Sequence, residues 1–162
     1  MLALERLKER FGPAVLHTAS AHGNEMATVE RARSKEILAF LRDDAETAFD
    51  FLSDLTAVDY VAYPPAGREP RFEVVYQLYS TSKQHRLRVK VGVPEDHAEV
   101  ASVTELWPGA GWLEREVWDL YGIKFAGHPD LRRILMYDEF VGHPLRKDYP
   151  KEKRQPLVRR ST

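Results

Sequence analysis

The sequence contains no cysteine among its 162 residues. Disulfides, thiol nucleophiles, and zinc or iron–sulfur centres held by the chain's own thiolates are therefore excluded. No run approaches the roughly 18 consecutive apolar residues that a membrane span requires. There is no Gly-rich Walker sequence and no GxGxxG after a strand, so no recognisable nucleotide-binding loop is present. Neither an internal repeat of solenoid period nor a low-complexity block occurs. The N-terminus, broken by Glu5, Arg6, Lys8, Glu9 and Arg10, is unlike the apolar stretch of a secretory signal. A chain exposed to the cytosol fits these absences.

The length is that of one domain with a real core. Its formal net charge of -1 hides an asymmetry: residues 1–123 carry 14 Lys/Arg against 20 Asp/Glu, and residues 124–162 carry 10 against 5. A basic tail on an acidic body suits an acidic protein, phosphate or membrane surface, although a solvated tail is the simpler reading of charge alone.

Leu4, Leu7 and Phe11 recur at helical spacing and Gly12-Pro13 closes that helix. Two short strands, Ala14–Thr18 and Met26–Arg31, flank the turn cluster Ala21-His22-Gly23-Asn24. Ser34 is the expected N-cap of a second helix with Ile37, Leu38 and Leu41 as its apolar stripe. Asp43-Asp44 sits at the unfavourable end of that helix dipole. A third strand is expected within Phe49–Val61, in its later half, before Tyr63-Pro64-Pro65-Ala66-Gly67 breaks it. Phe72, Val74, Tyr76 and Leu78 alternate with Glu73, Val75, Gln77 and Tyr79. Leu87, Val89, Val91 and Val93 then alternate with Arg86, Arg88 and Lys90, which predicts a hairpin with one buried face. The fold class is α+β: a two-layer sandwich with helices on one face of a mixed sheet (helix, two strands, helix, three strands), then a short helix and an extended C-terminal strap. The expected division is a scaffold over 1–109, a helix and strap over 110–150 packed on it, and a basic tail over 151–162.

Residues 112–149 carry the chemistry. A helix from about Ala110 to Tyr121 bears Leu113, Val117, Leu120 and Tyr121 on its core side, with Glu114, Arg115, Glu116 and Asp119 interspersed, and ends at Gly122. Two Gly-His-Pro turns follow, Gly127-His128-Pro129 and Gly142-His143-Pro144, each trailed by arginine. Arg115 can pair with Asp119 at i, i+4. Beyond Gly122, prolines 129, 144, 150 and 156 predict an irregular, extended segment that must lie on something. A metal-dependent hydrolase could use His128 and His143, with Asp130 and Asp148 near them, but no HExxH or paired HxH supports it. General acid/base work by Glu114, Glu116, Asp119 and His128 is outweighed by an ion-pair helix. Arg132-Arg133, Arg146-Lys147 and Arg159-Arg160 could meet nucleic-acid phosphates, yet acids interrupt the run and no such motif accompanies it. Trp112, Trp118, Tyr121, Phe125, Tyr137, Phe140 and Tyr149 with interleaved arginines fit a protein–protein contact best.

The segment WLEREVWDLYGIKFAGHPDLRRIL, followed by GHPLRKDYP, closely resembles the signature of the C subunit of the proton-pumping NADH–quinone oxidoreductase, respiratory complex I. The ending KEKRQPL is similar to the bacterial separate-subunit form rather than a fused C–D chain. The resemblance implies a non-catalytic peripheral-arm subunit with no cofactor or metal of its own. FMN, iron–sulfur clusters, NADH and quinone would reside on other subunits. Its partners would be the large quinone-site subunit (D) and neighbouring iron–sulfur subunits, with no nucleic acid and membrane contact only through the complex. It would sit on the cytoplasmic side of the bacterial inner membrane and support assembly of the electron-transfer module. Carried over by position, the subunit interface would include Glu114, Arg115, Glu116, Asp119, Gly122, His128, Pro129, Asp130, Arg132, Arg133, His143, Pro144, Arg146, Lys147 and Asp148. On this reading the prolines stiffen a docking strap and the arginines find carboxylates on the partner. Membrane-bound hydrogenase-type complexes use homologous subunits and form the alternative.

Overall fold

The computed structural model describes residues 2–61 and 69–155. The expected break at Tyr63–Gly67, Pro156 and the Arg159-Arg160 pair lie outside these residues. Helix α1 (Leu2–Phe11) buries Leu4, Leu7 and Phe11 as its spacing predicts. A 3-10 turn leads into strand β1 (Val15–Ala21), which pairs antiparallel with β2 (Asn24–Val29). Both strands are longer or shifted relative to expectation because the turn is tight. His22 and Gly23 alone form it, at φ of 52° and 77°, the left-handed pair that matches hairpin twist.

Helix α2 (Ser34–Asp43) buries Ile37, Leu38 and Leu41. Ser34 is not its cap. A 3-10 turn over Arg31–Arg33 precedes the helix, so Ser34 is already helical at φ -57° and ψ -45°, and its hydroxyl donates to the Arg31 carbonyl at 2.8 Å. At the far end Asp43 pairs with Arg42 at 2.6 Å and Asp44 with Arg6 at 2.5 Å. These cations offset the repulsion of the helix C-terminus.

Strands β3 (Phe51–Asp59), β4 (Phe72–Ser80) and β5 (His85–Val93) complete a five-stranded sheet in the order β1-β2-β5-β4-β3. Only β2 and β5 run parallel. The third strand fills nearly all of its window instead of the later half, with a bulge between Leu52 and Asp54. Ala27, Val89, Tyr76 and Leu55 form one cross-strand row, and Val29, Val91, Val74 and Ala57 the next. Both rows face the helices and are buried. The β4–β5 hairpin stands as expected, but β4 is buried on both sides. Being central, it has Glu73 and Val75 covered by neighbours on its far face, where Lys90 reaches Glu73 at 2.8 Å.

Helix α3 (Ala110–Tyr121) packs along β3 on the same face as α1 and α2, so the α+β two-layer class holds. The chain after Gly122 is less irregular than expected at its start. Strand β7 (Lys124–Ala126) pairs in parallel with β6 (Glu99–Ala101), which inserts Phe125 and Val100 into the core. No helix among the described residues is long and apolar enough to cross a membrane.

Candidate functional site

The buried side of α3 consists of Ala110, Glu114, Val117, Asp119 and Leu120, with Leu113 and Tyr121 half-buried. Two carboxylates on this face are fully buried, and each has donors. Glu114 Oε2 accepts from the Ser102 hydroxyl at 2.7 Å, and Oε1 from the Val103 N–H at 2.7 Å. Burial pushes the Glu114 carboxyl above its ordinary range, and these two hydrogen bonds only partly oppose it. Glu114 thereby pins the segment after β6 onto α3. Beside it, the fully buried Tyr76 hydroxyl is pushed up by burial and by the Glu114 charge.

Asp119 organises the strap. Its Oδ2 accepts from three consecutive backbone N–H groups, Ile134, Leu135 and Met136, at 3.0, 2.7 and 2.8 Å. Its Oδ1 takes Arg133 Nη1 at 2.6 Å. Burial pushes the carboxyl up, but the Met136, Arg133, Leu135 and Ile134 donors outweigh it and hold it below the usual range. Arg133 Nη2 also donates to the carbonyls of Phe140 and Gly142, both at 2.9 Å. Arg115 does not pair with Asp119. Its guanidinium instead donates to the carbonyls of Arg132 and Arg133 at 3.1 and 2.9 Å. The physical reason is competition: the strap brings Asp119 four donors, and a flexible i, i+4 partner is displaced.

The two Gly-His-Pro turns clamp the two ends of α3. Gly127 and Gly142 stand at φ of 86° and 100°, a region that favours glycine. His128 Nε2 donates to the Gly111 carbonyl at 3.0 Å, since its Nδ1 accepts from the Asp130 N–H at 3.0 Å. His143 Nδ1 donates to the Asp119 carbonyl at 2.9 Å, and burial lowers its imidazole pKa. Leu145 N–H and Arg146 Nε then take the Leu120 and Tyr121 carbonyls at 3.0 and 2.7 Å. A helix end normally leaves such acceptors to solvent or a cap; here the strap is the cap. It closes over Gly122, which is left-handed at φ 74°.

The end of the second motif reaches the sheet. Lys147 N–H donates to Asp59 Oδ2 at 2.9 Å, and Asp148 meets Arg71 Nη2 at 2.8 Å. Arg71 holds Asp59 through two bonds of 3.1 and 2.9 Å and Glu95 at 2.5 Å. Asp59, Arg71 and Ser102 are anchors that the sequence reading missed, because nothing local marks a strand residue as a partner for a segment 77 positions later.

Several residues expected at a site do not come together. His128 and His143 occupy opposite ends of the helix, and Asp148 turns to Arg71 rather than to His143. Among the described residues, no three His, Asp or Glu side chains form a group that could hold a metal ion. Glu114 and Asp119 are each occupied by backbone donors, whereas Glu116 faces outward. Pro129, Asp130, Arg132 and Lys147 are exposed, and Pro144 is half-buried. Arg132 pairs with its neighbour Asp130 at 2.9 Å. A cavity of about 480 Å³ lies elsewhere, on the sheet between Asn24, Asp54, Gln77 and Arg88.

Fold and site together define a class: a small α+β scaffold whose last helix is strapped end to end by the chain that follows it. Residues 27–155 match the family described as respiratory-chain NADH dehydrogenase, 30 Kd subunit. The chain belongs to this family, whose members are subunits of a respiratory oxidoreductase complex. It is 49% identical over 148 residues to the C subunit of NADH-quinone oxidoreductase from Geobacter metallireducens, covering 91% of this chain and 88% of that protein. The second C subunit of the same enzyme in Rhizobium etli is 47% identical over 144 residues, covering 89% and 74%. Among solved structures, a trypsin-resistant fragment of Nqo5 superposes with a TM-score of 0.69 at 40% identity, over 80% of this chain and 99% of the fragment. A chain of an archaeal membrane-bound sulfane sulfur reductase has a TM-score of 0.76 at 22% identity, over 92% and 84%, and shares the fold.

Proposed function

We propose that this chain is a non-catalytic peripheral-arm subunit of NADH–quinone oxidoreductase. It supports assembly of the electron-transfer module beside the quinone site, in a complex that couples NADH oxidation and quinone reduction to proton translocation. One observation carries this reading. The conspicuous side chains of the signature stretch, Glu114, Asp119, His128, Arg133, His143 and Arg146, are all engaged with the chain's own backbone. Groups so engaged build a shape and have no free valence for turnover. FMN, iron–sulfur clusters, NADH and quinone then belong to other subunits. The large quinone-site subunit (D) and the adjacent iron–sulfur subunits are the partners, on the cytoplasmic side of the membrane.

The test is purification of the tagged chain from native membranes in mild detergent. Flavin, iron–sulfur and membrane subunits should co-purify with NADH-dependent quinone reduction. Replacing exposed Glu116 or Lys147 by Ala should leave turnover per assembled flavin unchanged. Recovery with a hydrogenase instead would move the chain to a sister complex, and recovery alone would end the proposal.

A further inference from the structure

We propose that the strap docks through an apolar band formed by Leu135, Val141 and Leu145, with Trp112 beside them, onto an apolar patch of another subunit rimmed by carboxylates. This rests on the subunit reading above and names the contact. The four side chains are 57%, 65%, 46% and 64% exposed. Three are rooted at one turn of α3. Leu135 N–H is bound to Asp119, Leu145 N–H to the Leu120 carbonyl, and the carbonyls flanking Val141 to Arg133, itself on Asp119. Trp112 joins the band through Arg115, whose guanidinium lies 5.3 Å from the indole and holds the Arg132 and Arg133 carbonyls.

Scattered exposed apolar residues are ordinary on a protein surface, and Leu2, Leu16 and Phe51 fit that description on α1, β1 and β3. A cluster held in fixed geometry by a buried carboxylate is different. Its backbone is already ordered, so docking costs little further entropy. The interface thus changes character from the sequence expectation. Arg115, Arg133 and Arg146 face inward and shape the strap, while the aliphatic side chains between them face out.

The surroundings specify the partner's rim. From residue 124 onward the chain carries 10 Lys/Arg against 5 Asp/Glu. Two of those acids, Asp130 and Asp148, are taken by Arg132 and Arg71. Exposed Lys147, Lys151 and Lys153 therefore dominate beside the band. An apolar centre with a charged edge is the usual anatomy of a protein contact, and this edge calls for carboxylates opposite.

The double variant Leu135→Asp, Val141→Asp in the full tagged chain tests the proposal in native membranes. Leu16→Asp serves as a control on β1, at 63% exposure. The isolated double variant should melt as wild type does, yet recover partner subunits on the order of tenfold less, the cost of losing central anchors. Should the aspartates unsettle the strap, Leu135→Ser with Val141→Ser reads the same loss without added charge. Wild-type recovery in either folded double variant overturns the proposal while leaving the subunit reading intact. Failure of the wild-type chain to recover any oxidoreductase subunit sinks that reading instead. A homodimer that dissociates on substitution would make a second copy the occupant. New dye binding to a chain truncated after Gln155 would make the chain's own end the occupant. Either result also overturns the proposal.

Discussion

The sheet with α1 and α2 differs in kind from the strap over 127–149. The first is held by apolar volume: Ile37, Leu38, Leu41, Val89 and Val91 are all fully buried in one cluster. The second buries little and is held by donors and acceptors, most of them backbone groups of α3 and of the strap itself. Apolar burial is non-directional and tolerates substitutions that conserve volume. A polar fastening depends on a few atoms in fixed places and on their protonation. One chain therefore contains a robust scaffold and a strap that a single atom can release.

The largest expected effect lies in the scaffold. Ile37→Ala removes three carbons from a fully buried site and should cost about 2–5 kcal/mol. The denaturant midpoint should fall for scaffold and strap together, because the strap has no core of its own. Asp119→Ala should cost less, about 2–3 kcal/mol, although it strands three N–H groups and Arg133. The strap can open and let water replace the lost acceptor, which caps the penalty at its local opening free energy. Hydrogen exchange should then show residues 131–149 unprotected while β4 and β5 keep wild-type protection. Equal loss in both regions would erase the distinction between them.

How far the sequence carried the fold depended on how local each cause was. The β4–β5 hairpin was legible because alternation is written within each strand, and α1 and α2 because their stripes repeat every three or four residues. Ser34 misled because a residue type that caps helices also occurs just inside them. The parallel β2–β5 pairing and the β6–β7 ladder join segments far apart, which no local pattern encodes. Both Gly-His-Pro turns were visible as rigid turns, but what their histidines bind was not. For Glu114 a signal did exist. It lies four residues after Ala110 and three before Val117, on the core stripe itself, so a buried carboxylate with dedicated donors could have been read there. Asp119 gave no such warning, since its donors are strap backbone groups 15 to 17 positions later.

Within the strap, its glycines separate conformational strain from packing. Alanine at Gly122 would be strained at φ 74°, and its Cβ would fall 2.5 Å from His143 Nε2 and 2.8 Å from Arg146 Nη2. Alanine at Gly127 meets the backbone strain alone, with no atom within 4 Å. Gly127→Ala should therefore cost about 1 kcal/mol and Gly122→Ala about 2–3 kcal/mol. Exchange at residues 143–148 should quicken in the second and stay unchanged in the first. Equal costs would mean that His143 and Arg146 move aside freely, and that their bonds to Asp119 and Tyr121 carbonyls fasten nothing.

The two buried carboxylates sharpen the contrast through pH. Asp119 titrates below its unfolded value of about 3.9. Its contribution is thus present above that value and is lost as pH falls through the folded one. Glu114 has the opposite sign. Its folded value lies above the unfolded one of about 4.3, so its contribution is full below that pH and lost as pH rises through the folded value. Acid should therefore loosen the strap at Asp119 while the Glu114 contact with Ser102 and Val103 is at its most favourable. Glu114→Gln keeps an oxygen for the Val103 N–H and removes the titration. Its urea midpoint should gain on wild type between pH 4 and pH 8, a small effect confined to that direction. Midpoints that stay parallel across the range would mean that Glu114 titrates as an ordinary carboxylate, and that burial on α3 does not govern it.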